Sequence, residues 1–207
     1  METREKRATD KEQLRREILD AARDLFVNEG YENFSMQKLA KNTEHSSSTI
    51  SLYFKNKDDL LFALCEEVAG RLFADLSNIR TAQSDPLESL RQALLYLIEF
   101  GFNNPDEYKV LFITRPQVYG TFDEFMEHES MARNSYFVFR EIVGICMETG
   151  KLLEIDIDVL TQVLTVATRG AALSVNKTSF PWIDRNVLAH TLAEGLLRGY
   201  RRLFSLP

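Results

Sequence analysis

Apolar residues recur at helical spacing from near the start of the chain. Between about Asp10 and Glu29, Leu14, Ile18, Ala21, Ala22, Leu25 and Phe26 share one face, which predicts an amphipathic helix. Thr9 or Asp10 can cap its start, and Gly30 falls just past its end. Met36, Leu39 and Ala40 then recur at i, i+3 and i+4, behind Ser35 as a candidate N-cap. Lys38 and Lys41 fall outside that stripe. Thr43 to His45 read as a turn, and Ser46 can cap a second short helix. In that helix Ile50 and Phe54 point inward, leaving Ser47, Ser48, Thr49 and Ser51 outside. The piece is roughly 10 Å long at 1.5 Å per residue. It is too short to be stable alone, so a neighbouring long helix must hold it. Two short helices joined by a tight turn are the layout of a helix-turn-helix, whose second helix enters the DNA major groove. A further helix begins near Asn56 to Asp58, where Asp58 and Asp59 suit the positive end of the helix dipole.

The residues that carry this pattern also carry a resemblance. Ile18, Ala21, Ala22, Leu25 and Phe26, then Gly30, Tyr31, Ser35, Met36, Leu39, Ala40, Ser46, Thr49 and Ile50, and finally Phe54, Lys57 and Leu60 run through residues 12–62 without a gap. Together they resemble the N-terminal domain of the TetR family of transcriptional regulators. The resemblance implies an all-α homodimer with a three-helix DNA-binding head over residues 1–56. A larger helical ligand-sensing and dimerisation domain would cover residues 57–207. Departures from the family pattern fall in the turn and the reading helix. Thr43, Glu44, His45 and Ser46 stand where the family usually has Ala-Gly-Val-Ser. Loss of the turn glycine predicts a different backbone solution, or strain, at Glu44. Ser48 replaces a common Gly or Pro, and Ser51 replaces a phosphate-binding Tyr whose role Tyr53 could share. These changes predict an altered operator rather than a lost head.

Side-chain chemistry assigns the expected contacts. Ser47, Ser48 and Thr49, with the capping Ser46 beside them in the DNA-binding set, can approach base edges, and the Thr49 methyl can touch a thymine methyl. Ser35, Gln37, Tyr53 and Lys57 are placed for phosphates, which fix register without reading sequence. The resemblance matches Lys57 to the family's phosphate-contacting lysine. By itself a serine run also fits a polar loop, and it is the surrounding motif that favours the reading helix.

The rest of the chain reads as helices of rising hydrophobicity. The pattern predicts helices over about 57–78, 87–102 and 105–112, a long one over 122–149 ended by Gly150, and two more over 157–175 and 183–204. Pro181 separates the last two, and Asp184 lies in the first turn of the final one. No internal repeat and no β-hairpin signature occurs in the sequence. Val163, Ala167 and Gly170, followed by Leu188, Leu192, Leu196 and Gly199, spread apolar and small residues over more than one helical face. Such helices must bury both sides, either within one subunit or against a second copy. The resemblance implies the second, a four-helix bundle between mates. Two-fold symmetry would set the reading helices about 34–36 Å apart and make the operator roughly palindromic.

Aromatic residues concentrate in the middle of the chain. Phe100, Tyr108, Phe112, Phe122, Met126, Tyr136 and Phe137, with Arg140 as a polar group, are candidates to line an effector pocket. Ordinary core packing explains most such residues, and a pocket needs only a few. The body is similar to one sensor subgroup around Tyr108 to Phe112 and Val166 to Gly170. It departs where that subgroup carries Trp and His-Gly. The implied effector is a hydrophobic or amphipathic small molecule that shifts the helix at 57–78 and releases DNA.

Charge and composition refine this picture. The chain of 207 residues has formal charge −6. Residues 1–57 hold eleven Lys and Arg against ten Asp and Glu, so the head is basic relative to an acidic remainder. Arg4, Lys6, Arg7, Lys11, Arg15 and Arg16 form either a solvated tail or an arm reaching the DNA backbone. No run of 18 apolar residues and no signal-peptide core is present, and no membrane partner is expected. Cys65 and Cys146 lack metal-ligand spacing and read as free thiols in a reducing cytoplasm, so no metal or cofactor is expected. His45, His128 and His190 are scattered, and no phosphate loop or nucleophile elbow occurs, which argues against an enzyme. The alternative is a helical protein-interaction module that has lost specific DNA binding.

Overall fold

In a computed structural model of the protein, residues 2–114, 116–177 and 183–201 are described. Ten α-helices occur among them. They are α1 (Glu2–Asn33), α2 (Met36–Asn42), α3 (Ser47–Ser51), α4 (Lys57–Ala82), α5 (Pro86–Asn103), α6 (Pro105–Lys109), α7 (Phe122–Glu127), α8 (Met131–Glu148), α9 (Ile157–Lys177) and α10 (Arg185–Tyr200). A π turn (Val110–Thr114) and a 3-10 turn (Pro116–Tyr119) lie between α6 and α7. Among the described residues there is no strand, and the all-α class holds. One isolated antiparallel bridge joins Leu152 and Arg201.

The chain packs as two compact units. One comprises Met1–Ala69 and Asp106–His128, the other Gly70–Pro105 and Glu129–Pro207. In the first, Ile18, Leu19, Ala22, Leu25 and Phe26 of α1 are buried together with Phe34, Leu39, Ile50, Phe54, Leu60 and Leu64. Phe26 stacks on Phe34 with ring centroids 4.2 Å apart. In the second, α5 is the central element and packs against α8, α9 and α10. Its core is built from Leu90, Leu94, Ile98, Ile142, Val143, Leu160 and Leu164. Buried Thr161 satisfies its hydroxyl on the Ile157 carbonyl one turn back, at 2.7 Å, so it costs the core little.

Several helix boundaries differ from the periodicity. Helix α1 reaches back to Glu2 instead of starting at a Thr9 or Asp10 cap, because residues 2–8 are mostly strong helix formers. It breaks at Gly30 (φ 78), a left-handed conformation that glycine adopts without a Cβ penalty. The expected helix over 105–112 ends at Lys109 and gives way to the π turn, where the Thr114 hydroxyl donates to the Lys109 carbonyl at 2.9 Å. The expected helix over 122–149 is two helices. His128 is extended (ψ 132), and Ser130 caps α8 by accepting from the Arg133 N–H at 3.1 Å. Asp184 is the N-cap of α10, accepting from the Asn186 and Val187 N–H groups, not a member of its first turn. That helix stops at Tyr200, whose carbonyl accepts from the Leu153 N–H at 2.8 Å. Pro181 and residues 202–204 lie outside the described residues.

Candidate nucleic-acid interface

Helices α2 and α3 are each started by a serine. Ser35 Oγ accepts from the Lys38 N–H at 3.2 Å, and Ser46 Oγ accepts from the Thr49 N–H at 3.0 Å. Each cap pairs a backbone donor that the first turn otherwise leaves unpaired. Leu39 anchors α2, with Met36 and Ala40 half-buried beside it, and Ile50 anchors α3. Between the helices Glu44 takes a left-handed backbone (φ 56), the strained solution expected from the missing glycine. His45 Nε2 lies 3.7 Å from the Glu17 carboxylate of α1, tying the turn to the long helix.

Around the buried Ile50, Ser46, Ser47 and Ser48 are exposed and Thr49 is half-buried. Their hydroxyls engage one another: Ser46 Oγ lies 2.7 Å from Ser48 Oγ and 2.8 Å from Thr49 Oγ1. The Ser51 hydroxyl donates to the Ser47 carbonyl at 2.8 Å. The lone pairs left over can still meet base-edge donors. Gln37 is exposed, Ser35 and Tyr53 are half-buried, and all three belong to the same small unit. Lys57 donates to the Tyr31 carbonyl at 3.3 Å, and its ammonium sits 4.0 Å from the Tyr31 ring centroid. An ammonium has three donors, so this anchoring leaves capacity for a phosphate. Lys38 is paired with Glu29. Asn56 prepares the start of α4 by accepting from the Asp59 N–H at 2.9 Å. Leu52, the C-cap of α3, is exposed, as its place two residues beyond the inward Ile50 signals.

The candidate effector residues divide between the two units. Tyr108, Phe112 and Met126 lie in the first, where the Tyr108 and Phe112 rings pack 4.7 Å apart. Phe100, Tyr136, Phe137 and Arg140 lie in the second. Phe122 begins α7, and its side chain lies outside the described residues. Arg140 Nε donates to the Asp158 carboxylate at 2.6 Å, which holds that carboxyl below its ordinary range. Cys65 and Cys146 are buried free thiols. Burial, reinforced by neighbouring Glu66 for Cys65 and Asp85 for Cys146, pushes both up to about 12. Among the described residues no cluster of three or more His, Cys, Asp or Glu could hold a metal, and no helix is long and apolar enough to cross a membrane.

The candidate dimer residues lie in the second unit. Val159, Val163, Val166 and Gly170 recur at helical spacing on α9, and all are exposed. Val159 and Val166 expose 57% and 56% of their surface, as does Val187 of α10 at 56%. Ala167 is half-buried, and Leu188, Leu192 and Leu196 lean on the core with half-buried side chains. A Cβ added at Gly170, Gly195 or Gly199 would meet nothing within 4 Å, so these glycines leave open surface.

Residues 18–64, which contain the whole arrangement from the anchor of α1 to the first turns of α4, match the family model TetR_N, bacterial regulatory proteins of the tetR family. That segment, residues 18–64, is where the chain matches the TetR family. Among relatives, it is 44% identical over 95 residues to an uncharacterised HTH-type transcriptional regulator of Haemophilus influenzae, a match covering 46% of this chain and 51% of that one. It is 37% identical over 71 residues to the fatty acid metabolism regulator protein of Bacillus subtilis, covering 32% and 37%. The chain spans about half, or less, of the length of the curated relatives it matches. Its fold is similar to that of FadR from Bacillus subtilis, solved in complex with stearoyl-CoA, with a TM-score of 0.72 and 20% identity over 88% of this chain and 97% of that one.

Proposed function

We propose that this protein is a TetR-family transcriptional repressor that binds a roughly palindromic operator as a homodimer and is released by an amphipathic effector. The observation that carries the reading is the capped α2–turn–α3 unit, anchored by Leu39 and Ile50 and lying inside the family-matched segment. Residues 1–56 supply the DNA contacts, through Ser46, Ser47, Ser48 and Thr49 toward bases and through Ser35, Gln37, Tyr53 and Lys57 toward phosphates. Residues 57–207 sense the effector and dimerise, in the cytoplasm. The exposed valines of α9 and α10 support a second copy as the partner of that face, since a contiguous apolar stripe gains free energy on leaving water.

Long-chain acyl-CoA is the first effector class to test. The similarly folded Bacillus subtilis FadR was solved with stearoyl-CoA, and a 37%-identical relative is named for fatty acid metabolism. Such a molecule joins an apolar chain to a polar head, the amphipathic character expected of an effector for the aromatic-rich middle of the sequence. Its binding releases DNA only if it favours the state that does not bind DNA, and the coupling is then reciprocal. A mobility-shift assay with the DNA flanking the chain's own gene tests both parts. Specific retardation, absent on scrambled DNA and weakened at least tenfold by stearoyl-CoA, is the expected result. Equal affinity for scrambled DNA sinks the regulator reading. Specific binding indifferent to stearoyl-CoA sinks the effector class alone.

A further inference from the structure

Leu52 is 83% exposed, the most exposed large apolar side chain among the described residues. Its backbone is still helical (φ −72, ψ −21), so it extends the geometry of α3 by one residue. Ile50 is fully buried. Positions two residues either side of it lie about 200° round a helix of 3.6 residues per turn. Ser48 and Leu52 therefore share the face turned away from the core, and Leu52 contributes nothing to packing. On that face the hydroxyls of Ser46, Ser48, Thr49 and Ser51 are engaged with one another or with the Ser47 carbonyl. Those hydroxyls keep lone pairs for outside donors, and Leu52 adds a large apolar side chain that the fold leaves exposed beside them. A leucine cannot bind a phosphate, since it has no polar atom. In the major groove the one apolar feature of a base edge is the thymine 5-methyl group.

We propose that Leu52 is a specificity-determining residue that reads a thymine methyl in each operator half-site, so that this regulator selects bases partly by apolar contact at the end of its reading helix. The inference rests on the DNA-binding reading above. Affinity on each thymine should include the burial of one methyl, equivalent to about fourfold per contact.

The test uses the full-length chain and an operator selected from a random duplex library. Each thymine of that operator is replaced in turn by deoxyuridine, which removes the methyl and keeps the pairing edge. Wild type should lose about fourfold at one thymine per half-site. Leu52→Ala should lose that sensitivity while keeping the same dependence on salt, because no phosphate contact is removed. A Leu52→Ala variant with an unchanged deoxyuridine pattern overturns the assignment. So does one that weakens selected and random DNA alike. A wild-type selection that enriches no sequence overturns the regulator reading itself, and the Leu52 role with it.

Discussion

Glu44 holds a left-handed backbone (φ 56) in the turn between α2 and α3, where a glycine would be unstrained. A residue with a Cβ pays roughly 1–2 kcal/mol in that region. Glycine avoids this but loses more chain freedom on folding, about 0.4–1 kcal/mol. Glu44→Gly should therefore stabilise the head by about 0.8 kcal/mol, the difference between the midpoints of those two ranges. For a chain of this size that is about 1–4 °C in unfolding midpoint. Glu44→Ala is the control, since it keeps the Cβ and gains nothing from the backbone. Thermal unfolding followed by circular dichroism reads the difference between the two variants. Both remove a carboxylate from beside the reading helix, so both should bind DNA more tightly than wild type, and more so below about 0.1 M salt, where screening is weak. Equal midpoints for Glu44→Gly and Glu44→Ala would refute the strain argument. Tighter binding by Glu44→Gly alone would refute the charge argument.

Lys57→Ala should weaken binding on every sequence and lower the salt slope by about 1, whereas Thr49→Ala should change which operator is preferred; anisotropy titrations on selected and scrambled duplexes separate the two. Val163→Asp with Val166→Asp should yield a monomer in sedimentation velocity with unchanged helical content, because both valines are exposed in the single chain; a persisting dimer would move the interface elsewhere. Native protein at pH 8 should leave Cys65 and Cys146 unmodified by a disulfide reagent, with both reacting after denaturation, because burial holds the thiols near 12. The same shift sets a pH dependence. Thiols in the unfolded chain ionise from about 8.5 while the folded ones keep their protons, so stability should fall as pH rises from about 8.5 toward 12 and show no thiol contribution below that window.

Sequence alone determined the features encoded by a few adjacent residues. Ser35 and Ser46 read as caps because a hydroxyl ahead of an apolar-periodic run has a local task, and both perform it. Leu39, Ile50 and Phe54 read as core from their spacing, and all three are buried. The anomaly at Glu44 was legible too, because a missing turn glycine is a local fact. Tertiary structure decided what depends on distant partners. No periodicity signals that residues 106–128 pack with the head, where Lys109 donates to the Val27 carbonyl at the end of α1 and the Tyr119 hydroxyl meets Glu66 at 2.9 Å. Nor did apolar spacing split residues 122–149, where the break falls in the polar run Glu127–Ser130 and is set by the extended His128 and the Ser130 cap. The exposure of Leu52 and of the α9 valines is of the same kind. A hydrophobic residue announces that it should be covered, and only the folded chain shows which residues it leaves exposed.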